Sequence, residues 1–164
     1  MKFLEKDLEQ IIYESGIDAV NKKGLPINGK MLRQLKIGNY GIADLITFER
    51  PFIEGVAKDY KIRQQGVITV YELKKDRVSI GAFLQAVRYA KGIRSYLEKR
   101  NKLHLYDIKI VLIGKEMDVD GAFCYLPEVL NNELDFITFY TYTFDIDGIL
   151  FTEKMGYSLI NEGF

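Results

Sequence analysis

"ITVYELKKDRVSIGAFLQAVRYAKG", residues 68–92, decides how this chain is read. Val67 to Leu73 is a run of β-branched and apolar residues of the kind that fills a central buried strand. The run ends on Glu72-Leu73-Lys74, and because strand side chains alternate, Glu72 and Lys74 share one face at its end. A charged turn follows, and then a helical pattern. Ser79 is the expected N-cap, and Ile80, Phe83, Leu84, Val87, Ala90, Ile93 and Leu97 form one apolar stripe of a helix ending near Arg100. Gln85 and Tyr89, spaced i, i+4, share a helix face distinct from that stripe.

Upstream, Phe3, Leu4, Leu8, Ile11 and Ile12 recur at helical spacing, which predicts a first helix from about Lys2 to Ser15 with Gly16 as its stop. The stretch NKKGLPINGK reads as a loop. Met31 to Ile37 and Ile42 to Phe48, joined by GNYG, read as a hairpin with Asp44 near the start of its second strand. ERPFIEGVAKDYKIRQQG reads as a long connection into the central strand. Downstream, Asp107 to Ile113 is a further apolar run, and the order strand, long helix, strand favours a parallel crossover. A short helix near Pro127 to Asn131 and a β-rich tail over residues 136–155, turning at Asp147-Gly148, complete the chain.

The 164 residues suit one domain with its own core. At 48% hydrophobic and 28% charged, the chain has no stretch approaching the roughly 18 uninterrupted apolar residues of a membrane span. The start MKFLEKDLEQ lacks the apolar core of a secretory signal, so a cytoplasmic location is expected. Cys124 is the only cysteine and His104 the only histidine, which excludes an intramolecular disulfide and leaves little material for His-based metal or acid–base chemistry. Both read as structural residues. Lys+Arg and Asp+Glu balance at 23 each, so nucleic-acid binding would need a local basic patch. Lys22, Lys23, Lys30, Arg33 and Lys36 precede the Asp44 strand, and Arg88, Lys91 and Arg94 line the long helix; both groups read as solvated faces able to meet phosphates.

Phosphodiester hydrolysis requires a hard divalent cation on a non-bridging oxygen, an activated water and positive charge near the developing anion. Magnesium keeps several waters, so two or three carboxylates suffice to hold it. If the Asp44 and Glu72 strands are neighbours, two carboxylates and the Lys74 ammonium meet at one point. The Leu73 carbonyl lies between them as a further metal ligand, and Lys74 serves to orient or deprotonate the water or to neutralise charge. On the first helix, Glu5 and Glu9 share a face and either is an expected extra metal contact. An amide and a phenol at Gln85 and Tyr89 suit a phosphate, a base edge or the carboxylates themselves.

Four elements in this order, a first-helix glutamate (Glu5 or Glu9), Asp44 opening the second strand, Glu72-Leu73-Lys74 and Gln85-x-x-x-Tyr89, resemble the PD-(D/E)XK nuclease superfamily over about residues 3–113. The Gln-x-x-x-Tyr helix resembles the branch containing RecB-like exonuclease domains and small archaeal and bacterial endonucleases. Ala43 stands where the superfamily's name has proline. The resemblance implies an α/β restriction-endonuclease-like αβββαβ core with a mixed central sheet flanked by helices, and a β-rich extension over residues 114–164. It also implies Mg2+- or Mn2+-dependent cleavage of DNA, with Asp44 and Glu72 on the metal, Lys74 acting on the water or transition state, and Gln85 and Tyr89 positioning substrate. No organic cofactor is called for, and specificity is expected to come from a homodimer or a partner.

Two other readings stand beside it. The chain is a catalytically inactive member of the same fold that binds DNA or a protein partner, or a structural module that dimerises through the tail, where Tyr140 and Tyr142 read as sheet packing or dimer surface.

Overall fold

The computed structural model describes residues 2–57, 60–117 and 137–154, with the backbone alone at 53–57 and 60–63. In chain order the elements are α1 (Glu5–Ser15), α2 (Ile17–Lys22), β1 (Lys30–Lys36), β2 (Ile42–Glu49), β3 (Phe52–Ala57), β4 (Tyr60–Gln64), β5 (Gly66–Leu73), β6 (Arg77–Val78), α3 (Ile80–Lys99), a 3-10 turn (Leu103–Leu105), β7 (Tyr106–Gly114), β8 (Glu116–Met117), β9 (Ile137–Asp145) and β10 (Gly148–Lys154). Six strands form one mixed sheet in the order β1-β2-β5-β7-β9-β10. Neighbours run antiparallel from β1 to β5 and from β9 to β10, and parallel from β5 through β7 to β9. The chain is thus α/β.

Each face of the sheet has its own core. On one, Ile46, Ile68, Val70, Ile110 and Leu112 meet Ala82, Phe83, Ala86, Tyr89, Ala90, Ile93 and Leu97 of α3. On the other, Leu45, Tyr71, Leu73, Val111, Ile113, Tyr140 and Tyr142 meet Leu8 and Ile12 of α1 and Val20 of α2. The alternation of Val70, Tyr71 and Leu73 between the two cores explains why β5 reads as a continuous apolar run: it is buried on both sides. Leu8 and Ile12 are completely buried, and each such side chain contributes about 1.5–3 kcal/mol to holding α1 on the sheet.

Several elements differ from the sequence expectation. The first helix starts at Glu5, after an extended Leu4, and ends at Ser15 before Gly16 as expected; a second short helix follows at once, because Gly16 at φ 84 turns the chain into a new direction. The connection 50–67 contains a hairpin, β3 against β4, forming a separate two-stranded sheet. Alternation in such short strands is too brief to stand out from a loop. Along α3 the buried stripe is rotated: Leu84 is 58% exposed and Val87 37%, whereas Ala82, Ala86 and Tyr89 are buried. Small alanines let the helix approach the sheet closely, and Gly92 packs against Ile37 and Tyr40, so the stripe follows the small residues rather than the largest apolar ones. Ser79 caps α3 in position and extended backbone only, without a side-chain hydrogen bond. The β9–β10 turn comprises Ile146 and Asp147, with Gly148 opening β10 at φ 107 and the Asp147 amide donating to Asp145 Oδ1 at 2.8 Å. The expected helix near Pro127 to Asn131 and Cys124 lie outside the described residues. His104 is exposed in the 3-10 turn. No described helix is long and apolar enough to cross a membrane.

Topology brings the ends of four strands, β2, β5, β7 and β9, to one edge of the sheet. Since β5, β7 and β9 are parallel, their carboxyl ends lie together, and antiparallel β2 begins there. The carboxyl edge of parallel strands is where open α/β sheets place their ligands.

Candidate active site

At that edge the backbone pairing breaks around Asp44. The β2–β5 ladder runs from Glu49↔Val67 to Leu45↔Tyr71 and stops; one residue further, the same register would set Asp44 against Glu72. On its other side the β1–β2 register passes from Arg33↔Leu45 to Leu35↔Ala43, skipping Gln34 and Asp44. Gln34 sits at φ 48, in the left-handed region that non-glycine residues rarely occupy. The strand also twists here, since Ala43 joins the α3-side core and Leu45, two residues on, the α1-side core. In the interrupted stretch the Asp44 carboxylate takes up a backbone donor: the Leu73 amide donates to its Oδ2 at 3.4 Å.

Two carboxylates thereby converge in a poorly hydrated place. Glu72 is only 2% exposed; its Oε1 lies 3.1 Å from Lys74 Nζ, while its Oε2 is buried with no hydrogen-bond partner among the described residues. Burial, and next the Asp44 charge, push its carboxyl up to about 7. Asp44 is raised as well, by burial above all, and only partly relieved by the Leu73 amide and Lys74. Burial alone would pull Lys74 down, but the adjoining Glu72 more than offsets it, so the ammonium sits above its ordinary value and stays charged. Glu5, at the start of α1, closes the group with Oε2 at 3.9 Å from Lys74 Nζ. Three carboxyl groups, Asp44, Glu72 and Glu5, surround the one ammonium of Lys74, so the cluster is rich in acid for its positive charge.

Glu9 is engaged differently. It is buried, not on a surface face, and its Oε1 accepts from Arg33 Nε at 2.7 Å while Oε2 accepts from Gln34 Nε2 at 2.5 Å. With both oxygens held by β1, it docks α1 onto the strand at the very residue where the ladder is interrupted. Arg33 also lies over the Tyr13 ring, 5.0 Å from its centroid.

Gln85 and Tyr89 are brought to each other rather than to the acids. Gln85 Nε2 donates to the Tyr89 hydroxyl at 2.7 Å, and neither hydrogen-bonds Asp44, Glu72 or Lys74 among the described residues. Tyr89 is a core residue, 4% exposed, so the separate polar face expected for the pair is half absorbed into the α3 core. Its ring supports the turn before Asp44: a Cβ on Gly41, which sits at φ 119, would come within 2.9 Å of Tyr89 Cε1. Of the basic residues, Arg33 is committed to Glu9, Lys23 Nζ donates to the Asp147 carbonyl at 3.1 Å, and Arg88 Nη2 to the Asn39 carbonyl at 3.4 Å. A groove of about 730 Å3 lies away from the acids, between the far half of α3 and the β1–β2 hairpin, and its floor is apolar.

The sequence sets Arg33 among the basic residues beside the site but shows neither its bond to Glu9 nor the part of Gln34, because these contacts join residues 24 and 25 positions apart; the alternating strand pattern gives no sign of the left-handed turn at Gln34.

The donor set suits a hard cation. A buried carboxylate oxygen without a partner, beside a second carboxylate raised by desolvation, is an acceptor array short of positive charge. Among the described residues no group of three or more His, Cys, Asp or Glu is gathered as a ready-made cage. Asp44 and Glu72 are the described carboxylates that could hold such an ion, with waters completing its shell. Comparison with family models, with curated proteins and with solved structures finds no match, so the functional reading of this α/β chain rests on the geometry of its carboxylate cluster.

Proposed function

We propose that the chain is a metal-dependent nuclease that hydrolyses DNA phosphodiesters, on a restriction-endonuclease-like core of α1, β1, β2, β5, α3 and β7. The observation that carries this reading is the Asp44–Glu72 pair at the strand fork, with a free Glu72 Oε2 and with Lys74 Nζ 3.1 Å from Oε1. Asp44, Glu72 and the Leu73 carbonyl would hold Mg2+ or Mn2+, which when bound supplies Lewis-acid activation of the phosphate and of a water. The chain's own contributions follow from charge and position. Lys74, kept protonated by Glu72, offers its Nζ protons to a phosphate oxygen and offsets developing charge, rather than accepting a proton from water. Glu72, whose carboxyl is raised to about 7 in the metal-free chain, would release its proton as a cation binds at Oε2 close to neutral pH. Glu5 lies 47% exposed at the rim, free to swing between Lys74 and an incoming cation. Gln85 and Tyr89 act as a positioning pair that braces the Gly41 turn and so fixes where Asp44 stands.

The test is cleavage of linear, circular and branched DNA in Mg2+ and Mn2+ by the native chain, Glu72→Gln and Lys74→Ala, alongside thermal stability titrated with Mg2+ for the native chain and Asp44→Asn. Cleavage abolished by EDTA and by both substitutions supports the reading. DNA binding without cleavage, and no Mg2+-dependent rise in melting temperature, would replace it with the inactive nucleic-acid binder.

A further inference from the structure

A second feature shares the carboxyl edge of the sheet. Next to the acids, on the α1 side, lies a pocket of about 470 Å3 lined by Phe3, Lys75, Asp76, Lys115, Tyr142 and Phe144. Phe3 is two residues from Glu5, and Lys75 follows Lys74, so the pocket adjoins the candidate site through the chain itself. Apart from Phe3, its parts come from the carboxyl ends of β5, β7 and β9 or just beyond them, again because these strands run parallel.

The pocket's chemistry is specific. Phe3 and Phe144 meet edge to face with centroids 5.3 Å apart, and Tyr142 joins both at 6.1 and 5.7 Å. Tyr142 is anchored, buried to 2% exposure with its hydroxyl donating to the Lys75 carbonyl, whereas Phe144 is 54% exposed. Such a cluster presents a rigid, wetted aromatic surface on a fixed base. The lysines give local positive charge: Lys115 is exposed, and Lys75 Nζ is 3.5 Å from Asp76 Oδ2, leaving the trio with one net positive charge.

Aromatic faces framed by ammonium groups match the ring faces and phosphates of an unpaired nucleotide. In a duplex those ring faces are covered by neighbouring base pairs. We propose that this pocket is a subsite for an unpaired nucleotide flanking the scissile phosphodiester, so that the preferred substrate is single-stranded or frayed DNA; the inference rests on the nuclease reading for its neighbour, and extends it. Phe144 stacks on the base, Phe3 and Tyr142 back it, and Lys75 and Lys115 meet the adjoining phosphates.

The measurement is fluorescence anisotropy in EDTA of a labelled oligo-dT strand and of a blunt hairpin duplex, with the native chain, Phe144→Ala and Lys115→Gln, and with the mass of each variant from light scattering. Phe144→Ala should weaken oligo-dT binding about 10-fold and leave duplex binding within about two-fold, since one stacked base is lost. Lys115→Gln should flatten the slope of log affinity against log salt by about 0.7 for the single strand. Unchanged oligo-dT affinity in Phe144→Ala, or a native chain that binds oligo-dT no better than duplex, overturns the proposal. So does a dimer that Phe144→Ala turns into a monomer, because Phe144, Ile146 and Leu150 are all exposed on the β9–β10 hairpin and would then be a self-association face. Cleavage in Mg2+ separates the two readings. Glu72-dependent cleavage with an inert Phe144→Ala removes the subsite alone; Phe144-dependent oligo-dT binding without cleavage keeps the subsite and removes the nuclease.

Discussion

Replacing Glu72 by glutamine is expected to stabilise the fold at pH 8 and to leave it nearly unchanged at pH 4.5. The Glu72 carboxyl, ordinarily at 4.5, is pushed up to about 7 in the folded chain, mainly by burial and then by Asp44. Below 4.5 it is protonated in both folded and unfolded chains and adds no pH dependence. Between 4.5 and about 7 the unfolded chain releases a proton that the folded chain retains, so stability falls as pH rises, by about 1.4 kcal/mol per pH unit at most. Over that interval the loss amounts to about 3 kcal/mol. Glutamine cannot ionise and escapes it, and because the shift to about 7 already includes the attraction of Lys74, no separate ion-pair loss is subtracted. A net gain of about 3 kcal/mol is therefore expected at pH 8. Urea unfolding of both proteins in EDTA from pH 4.5 to 8.5 measures it through the midpoint at constant m. Parallel pH profiles, or a variant that loses stability relative to the native chain as pH rises, would refute the account of Glu72 as a strained buried acid.

Other substitutions probe the supports of the site. Arg33→Ala leaves Glu9 buried with Gln34 alone and should cost about 2–3 kcal/mol in urea unfolding, with much of that recovered when Glu9→Gln is added. Gly41→Ala should destabilise by more than Gly38→Ala: both residues have positive φ, but a Cβ at 41 meets Tyr89 at 2.9 Å and one at 38 meets nothing within 4 Å, so Gly38→Ala costs only about 1 kcal/mol by thermal unfolding. Tyr142→Phe removes the bond to the Lys75 carbonyl and should cost about 1 kcal/mol by the same measurement.

How much of this could be read beforehand depended on the range of the interaction concerned. The β5 run and its Glu72-x-Lys74 ending are local patterns; the strand, its central position and the 3.1 Å approach of Lys74 to Glu72 all agree with them. Asp44 beside Glu72 required only that β2 and β5 be neighbours, as they are. The burial of Glu9 depended on two partners on β1 that no pattern within α1 reveals. Tyr89 was misjudged because its i, i+4 pairing with Gln85 suggested a polar face, whereas alanines at 82, 86 and 90 had already brought that side of α3 against the sheet. The hairpin of β3 and β4 and the short α2 were hidden by length: five or six residues do not complete enough periods to announce an element.

The broken pairing at Asp44 has a consequence for how the molecule breathes. Gln34 and Asp44 face each other across β1 and β2 without a ladder partnership, and the β2–β5 ladder ends one residue away, so this corner has fewer backbone pairings than the strands beside it. Local opening there needs few hydrogen bonds to be given up, and amide hydrogen exchange should report it: fast at 34 and 44, slow at 46 and 70, where both cores close over the strands. Anything that binds the two acids would then hold that corner closed, and its arrival would be visible as slowed exchange at Asp44 before any reaction is measured.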